Sequence, residues 1–349
     1  MQTTNLARPF FGLLSIALLV VLARHPAVRA DRLAPGAAAL GAAPAAASAP
    51  PASALAWVAD HDADRVALLD DGLVELAAAD VPCPVRVAAR RDGAAWVVAP
   101  KGCGAGGRHD LVLVRPGGGV ARLVSADPVR DLASLDGGDA LLLEGAWSAS
   151  STRLVRVAAD GTARELLAWH DASAVAGAGD RVLVGTVAGT CLVLDANAVL
   201  GPVLARRGLG VEISAVAPAP GGEWWVLGGA SGTRLWRLGP DLAVRFVRDL
   251  GGTLEELAAT PLASAHDRAY MPRTGPTWVV AIDGDGRAPF GVDLAGVGTP
   301  LRGDGLLDGG ALFALGGALV RIDRRGRVAA VQGGFDWLLD ASAVPRPAP

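Results

Sequence analysis

Two cysteines frame the stretch with the most definite local chemistry. Cys83 and Cys103 flank an apolar run, a polar turn at Arg91-Asp92-Gly93, and a second apolar run carrying Trp96. If the hairpin folds at Asp92-Gly93, antiparallel pairing sets residues whose numbers sum to about 186 opposite one another, which brings Cys83 to face Cys103. In an exported protein that geometry favours a disulfide. Two free thiols, or a metal pair lacking further ligands, are the alternatives. Cys191, inside Thr190-Cys191-Leu192-Val193-Leu194, reads as a small buried apolar side chain.

Other clusters invite chemistry and then lose it. Asp60, Asp62 and Asp64 alternate as in the start of a calcium loop, where carboxylates converge on one hard cation, but Arg65 stands where that loop wants glycine. The segment reads first as a solvated hairpin turn, with calcium as the minor alternative and no other cofactor expected. Gly102 to Gly107 spells G-x-G-x-x-G, yet Leu111 to Val114 after it is another strand pattern. A dinucleotide loop needs a helix there, whose N-terminus would hold the pyrophosphate. No G-x-S-x-G elbow or H-E-x-x-H helix occurs. His61, His109, His170 and His266 are scattered, and His25 lies in an N-terminal apolar segment.

The elements that would position these residues follow from a repeat. Trp57, Trp96, Leu142, Leu183, Trp225, Tyr270 and Phe313 sit in similar apolar runs spaced 39, 46, 41, 42, 45 and 43 residues apart. Each is followed by a strand, a Gly, Asp or Asn turn and another strand, as in Thr152 to Leu166 and Thr233 to Val247. Four short strands at this period predict an all-β fold, a seven-bladed β-propeller of four-stranded blades. Blade faces cover one another, so runs such as Leu141-Leu142-Leu143 and Trp224-Trp225-Val226 need no polar alternation. Trp57 begins as a second strand with no first strand before it, and Phe335 to Leu339 ends as a first strand with no second after it. Pairing the C-terminal strand with the N-terminal blade would therefore close the ring and remove two exposed edges.

The predicted innermost strands are 84–89, 128–133, 172–176, 211–217, 254–259, 300–306 and 335–341. Their in-register polar residues are Arg86, Arg130, Ser173, Ser214, Glu255, Arg302, Asp304 and Asp336, candidates to line the central channel where all blades converge. A ring of mixed sign suits a zwitterionic or sugar-like ligand; solvated ion pairs in an unused channel are the plain alternative.

The pattern Pro84-Val85-Arg86 followed by Asp92-Gly93-Ala94-Ala95-Trp96-Val97-Val98, with strands ending in turns such as Ala159-Asp160-Gly161, resembles the blades of NHL-repeat and streptogramin-lyase-like propellers over residues 56–344. In the lyase branch the resemblance implies a metal-assisted site with a histidine base over the channel. No segment here matches that His and Glu motif, so the resemblance carries the fold and not the activity.

Composition bounds the partners. There are 32 basic and 35 acidic residues for a net charge of −3, and Lys101 is the only lysine. No basic block offers the concentrated positive face that nucleic acid needs. Residues 1–30 read as a signal peptide or membrane anchor: Pro9 to Ala23 is almost unbroken apolar sequence, and Val28-Arg29-Ala30 offers a cleavage site. An Ala/Pro-rich linker (31–55), the propeller (56–344) and a Pro-rich tail (345–349) complete the domain plan. The expectation is an exported monomer that binds a protein or small polar ligand without chemistry, touching a membrane only through an N-terminal anchor. A channel lyase or hydrolase and a scaffold or sensor in an envelope assembly are the rivals. A histidine beside a carboxylate at a channel mouth would mark the enzyme, and an exposed apolar rim the scaffold.

Overall fold

The computed structural model describes residues 51, 53–103, 107–145, 151–198, 202–229, 234–250, 262–265, 267–272, 278–294 and 296–345. The N-terminal apolar segment with His25, nearly all of the linker, Glu255, His266 and tail residues 346–349 lie outside the described residues.

The described chain is all-β. It opens with β1 (Ala54–Asp60), β2 (Arg65–Asp70) and β3 (Glu75–Asp80), then runs through a series of antiparallel meanders. The first comprises β4 (Arg86–Ala89), β5 (Ala95–Pro100), β6 (His109–Val114) and β7 (Val120–Ala126). The second comprises β8 (Val129–Ser134), β9 (Ala140–Glu144), β10 (Thr152–Val157) and β11 (Ala163–Trp169). Then come β12 (Ala172–Ala178), β13 (Arg181–Thr186), β14 (Thr190–Asp195) and β15 (Val203–Gly208), followed by β16 (Ile213–Ala219), β17 (Glu223–Gly228), β18 (Arg234–Leu238) and β19 (Val244–Asp249). A fifth is formed by β20 (Ala263–Ala265), β21 (Arg268–Pro272), β22 (Trp278–Ile282) and β23 (Phe290–Asp293). The last strands are β24 (Arg302–Gly305), β25 (Ala311–Ala314), β26 (Gly316–Ile322) and the 16-residue β27 (Val328–Ala343).

The first half of β27 pairs with β26, Val320 opposite Val331, and its second half pairs with β1, Val58 opposite Ala341. The ends of the chain thus meet in one open seven-stranded sheet, β24-β25-β26-β27-β1-β2-β3. All seven residues of the apolar repeat, Trp57 through Phe313, lie on the strand next to an innermost one.

Their burial explains the missing polar alternation. Among the described residues the core divides into seven apolar clusters, each shared by neighbouring meanders. Successive residues of a strand point to opposite faces, and here both faces are covered. Trp57 and Ala59 enter one cluster while Ala56 and Val58 enter another; Trp225 and Leu227 are likewise divided from Trp224 and Val226. The large side chains also pin one meander to the next through polar tips. Trp57 Nε1 donates to the Gly93 carbonyl at 2.8 Å, Trp96 Nε1 to that of Gly138 at 2.9 Å, and the Tyr270 hydroxyl to that of Gly309. Gly93 and Gly138 close tight turns at φ 82° and 88°, a conformation that costs glycine little. Outer strands such as β15 and β19 are mostly exposed and carry arginines.

The predicted innermost strand at 254–259 lies outside the described residues, and the described part of the sheet ending in β23 begins at Ala263–Ala265.

Candidate functional site

The strands β4, β8, β12, β16, β20, β24 and the second half of β27 all contribute to the wall of a single cavity of about 560 Å³. The meander order gives its two ends different rims. Connections into the innermost strands, and those between second and third strands, open on one end; they include the long segments 101–108 and 294–301. The opposite end is closed by short turns such as 90–94 and 135–139.

Six of the eight residues expected on the channel line this cavity: Arg86, Arg130, Ser173, Ser214, Arg302 and Asp304. Asp336 does not. It sits where β27 crosses between its two partners, and its backbone N–H donates to Asp60 Oδ2 at 3.1 Å. The acidic residue that β27 places on the wall is Asp340, four positions on and past a bulge between Leu338 and Asp340 that flips the strand's faces. Asp131, Ser264 and Ser342 also line the wall and were missed. A bulge between Leu338 and Asp340 breaks the alternation that would have led to Asp340 and Ser342, and Asp131, which directly follows Arg130, likewise defeats an alternation rule.

The wall residues bind mostly to the strand beside them. Innermost strands of neighbouring sheets share no β-ladder, so their facing N–H and C=O groups need side-chain partners. Asp131 Oδ2 accepts from Val175 N at 3.0 Å, Asp340 Oδ2 from Val87 N at 3.1 Å, and Asp304 Oδ2 from Ala343 N at 3.0 Å. Ser342 Oγ accepts from Ala89 N and donates to Asp304. Arg130 donates to the carbonyls of Gly145 and Ala172, each at 2.9 Å. Ser173 Oγ donates to Ile213 O at 2.6 Å, and Ser264 Oγ to Pro218 O.

Charge gathers on one side. Arg302 Nη1 reaches Asp131 Oδ1 at 3.3 Å, linking β24 to β8. Arg86 lies in the same group and makes one hydrogen bond, from Nη1 to its neighbouring carbonyl Val85 O at 2.7 Å. Arg86 is half-buried on the cavity wall. Burial first, then the adjacent Arg302 guanidinium, pushes its pKa down to about 10, which leaves it charged at neutral pH. Burial raises the Asp304 carboxyl to about 6 against the lowering effect of its hydrogen bonds, and raises Asp340 as well against Arg302 and Arg86.

The histidines stand elsewhere. His61 Nδ1 meets Asp62 Oδ1 at 2.7 Å, a contact between chain neighbours off the cavity wall. His109 is buried, its Nδ1 accepts from Val129 N at 3.1 Å, and burial lowers its pKa. His170 is not on the wall either. Among the described residues no histidine lines the cavity.

The three carboxylates considered for calcium face different partners. Asp60 accepts from the backbone of Asp336 and Trp337, Asp62 meets His61, and Asp64 Oδ1 accepts from Cys83 N. Among the described residues, the one group of three metal-type ligand atoms within 4.8 Å of one another is Asp64, Cys83 and Cys103, and both sulfurs belong to a disulfide. The Cys83–Cys103 bond joins two connections beside Arg86 on the long-loop end. It lies outside the ladder: β4 and β5 pair with Ala88 opposite Trp96, so paired numbers sum to 184 and not 186. Both half-cystines take positive φ, 48° and 58°, and these bends bring the sulfurs together beyond the last ladder pair. Cys191 is buried, and burial pushes its thiol up to about 12.

No family model matches the sequence, and no curated protein sequence matches it. Solved structures do match in shape. A functionally unknown protein from Desulfotomaculum acetoxidans superposes with a TM-score of 0.64 at 11% identity, over 84% of this chain and 99% of that one. A streptogramin B lyase structure gives 0.58 at 15% identity, over 76% and 89%. A structure of a mitotic checkpoint complex gives 0.56 at 11% identity, over 73% and 81%. The protein therefore has a β-propeller fold. Similar structures include an enzyme and a member of a protein assembly, so the fold is common to both kinds and selects neither.

Proposed function

We propose that this protein is an exported, non-catalytic binding module: a seven-bladed propeller that takes a protein partner or small polar ligand at the long-loop end of its channel. Five four-stranded meanders plus two halves of a seven-stranded sheet support the count of seven. Ring closure is supported by the apolar cluster that joins Leu312 and Leu319 near the end of the chain to Val58 and Leu69 near its start. Export is supported by the disulfide and by the apolar N-terminal segment, read as signal or anchor.

One observation carries the binding reading. The carboxylates of Asp131, Asp304 and Asp340 and the hydroxyl of Ser173 are already engaged with neighbouring backbone, and no described histidine stands among them to exchange a proton. Acid–base catalysis needs a titrating group free to reach substrate; a binding wall needs rigid, satisfied side chains. A monomer without a resident metal or cofactor completes the reading.

The test is a thermal scan of the purified protein against pools of metals, sugars, peptides and small acids, with each pool analysed afterwards. The reading expects at least one pool to raise Tm and be recovered intact, and chelator to leave Tm unchanged. A pool compound consumed by the protein would replace it with the channel enzyme.

A further inference from the structure

We propose that the cavity seats a small oxyanion, a carboxylate or phosphate group, gripped between Arg86 and Arg302. The inference rests on the binding reading above and gives its ligand a chemical class.

Each carboxylate of the charged side has donors at both oxygens. Asp131 takes Val175 N and Arg302; Asp340 takes Val87 N and Ala341 N; Asp304 takes Gly305 N, Ala343 N and Ser342 Oγ. The hydroxyls of Ser173, Ser214 and Ser264 donate to carbonyls. A cationic ligand at the charged side would find these acceptors occupied.

The guanidinium donors are in surplus. A guanidinium carries five N–H groups in a rigid fork. Among the described residues, Arg86 makes the one bond to Val85 O, no carboxylate oxygen lies within 4 Å of it, and its enclosed Nε has no acceptor. Arg302 makes one long contact to Asp131, and its Nε is likewise enclosed without an acceptor. Arginines elsewhere are better supplied: Arg90 grips Asp92 through two nitrogens, and Arg156 meets Asp139, Ala196 O and Asn197. Arg302 also repels Arg86, which Asp340 and Asp131 offset in part. An oxyanion between the two forks answers both defects, since it accepts two N–H groups per guanidinium edge and offsets like-charge repulsion. Water supplies acceptors but no charge.

The opposite wall leaves room for the rest of the ligand. Ser173, Gly177 and Val216 are small, and a cavity of about 560 Å³ is of the size that takes small molecules.

Calorimetry on the purified protein at low salt tests this, with inorganic phosphate and succinate titrated separately so that the two oxyanion sources are told apart. Saturable one-site binding of at least one is expected, weakened at least about tenfold in Arg86→Lys and in Arg302→Lys, which keep the charge and lose the fork. Arg86 has no ion pair to break, so Arg86→Lys is expected to fold with an unchanged unliganded Tm even if Arg302→Lys does not. No saturable binding of either anion, or equal affinity in wild type and Arg86→Lys, overturns the proposal. If sugars or peptides raise Tm while both oxyanions fail, the inference falls and the binding reading stands. If nothing raises Tm, the binding reading falls with it.

Discussion

On one arc of the cavity, β24, β27, β4 and β8 meet their neighbours through carboxylates and guanidiniums; on the other, β12, β16 and β20 do so through hydroxyls. Both arcs face the same difficulty, edge N–H and C=O groups with no ladder partner. A serine hydroxyl donates to a carbonyl and closes the gap without charge. A buried carboxylate answers an N–H but brings a charge that must itself be compensated, and arginines follow. The difference teaches that the mixed-sign wall is first an assembly device. Binding capacity is what the charged arc has left over, since its acids are engaged and two of its arginines, Arg86 and Arg302, keep buried Nε groups without an acceptor among the described residues.

The junction of the arcs is the place to break the comparison most severely. Gly305 on β24 lies so close to β20 that a Cβ on it would stand 1.8 Å from the Ser264 carbonyl oxygen. Gly305→Ala is expected to cost more than about 3 kcal/mol or prevent folding, because backbone must move on both strands; chemical denaturation measures it. Asp340→Ala is expected to cost about 3 kcal/mol, since it strips Val87 N of its acceptor and leaves Arg86 and Arg302 less compensated. A loss below about 1 kcal/mol would mean that the charged arc is no assembly device.

The disulfide fixes the approach to β4 and hence Arg86. Replacing Cys83 and Cys103 by serine opens a loop of sequence separation 20 and is expected to cost about 3 kcal/mol. On the hydroxyl arc, Ser173→Ala removes one neutral hydrogen bond to Ile213 O and is expected to cost about 1 kcal/mol.

The smallest effect sharpens the contrast through pH. The folded protein raises Asp304 from an unfolded value of about 4 to about 6, and raises Asp340 in the same direction. Between those values the folded state holds more protons than the unfolded chain, so stability falls as pH rises through that window. Strands β12, β16 and β20 carry no titratable side chain and contribute nothing to this slope. Melting temperature measured from pH 4 to 7 is expected to decline in wild type and to be flatter in Asp304→Asn.

What could be read ahead of the structure was what repeats. The positions of Trp57, Trp96 and Tyr270 follow from hydrophobic spacing, because every blade needs a doubly covered second strand. The pairing of Cys83 with Cys103 was also legible, though for a partly mistaken reason: the ladder sum is 184, and the positive φ of both residues makes up the difference. Departures from the period were not legible. The bulge in β27 between Leu338 and Asp340 shifted the wall acid from Asp336 to Asp340. The strand-to-strand bonds of Asp131, Asp304 and Ser173 depend on how adjacent sheets are offset, which no single blade's sequence encodes.

The most direct test of the account is arginine side-chain NMR on the ¹⁵N-labelled protein, with Nε–H resonances assigned through Arg86→Lys and Arg302→Lys. On titration with whichever oxyanion binds, the Arg86 and Arg302 signals are expected to shift and their exchange with solvent to slow. Arg130, whose Nε already donates to Gly145 O, is expected to stay in place. Saturable binding that leaves the Arg86 and Arg302 signals unmoved would contradict the account, because the ligand would then sit somewhere other than the charged arc.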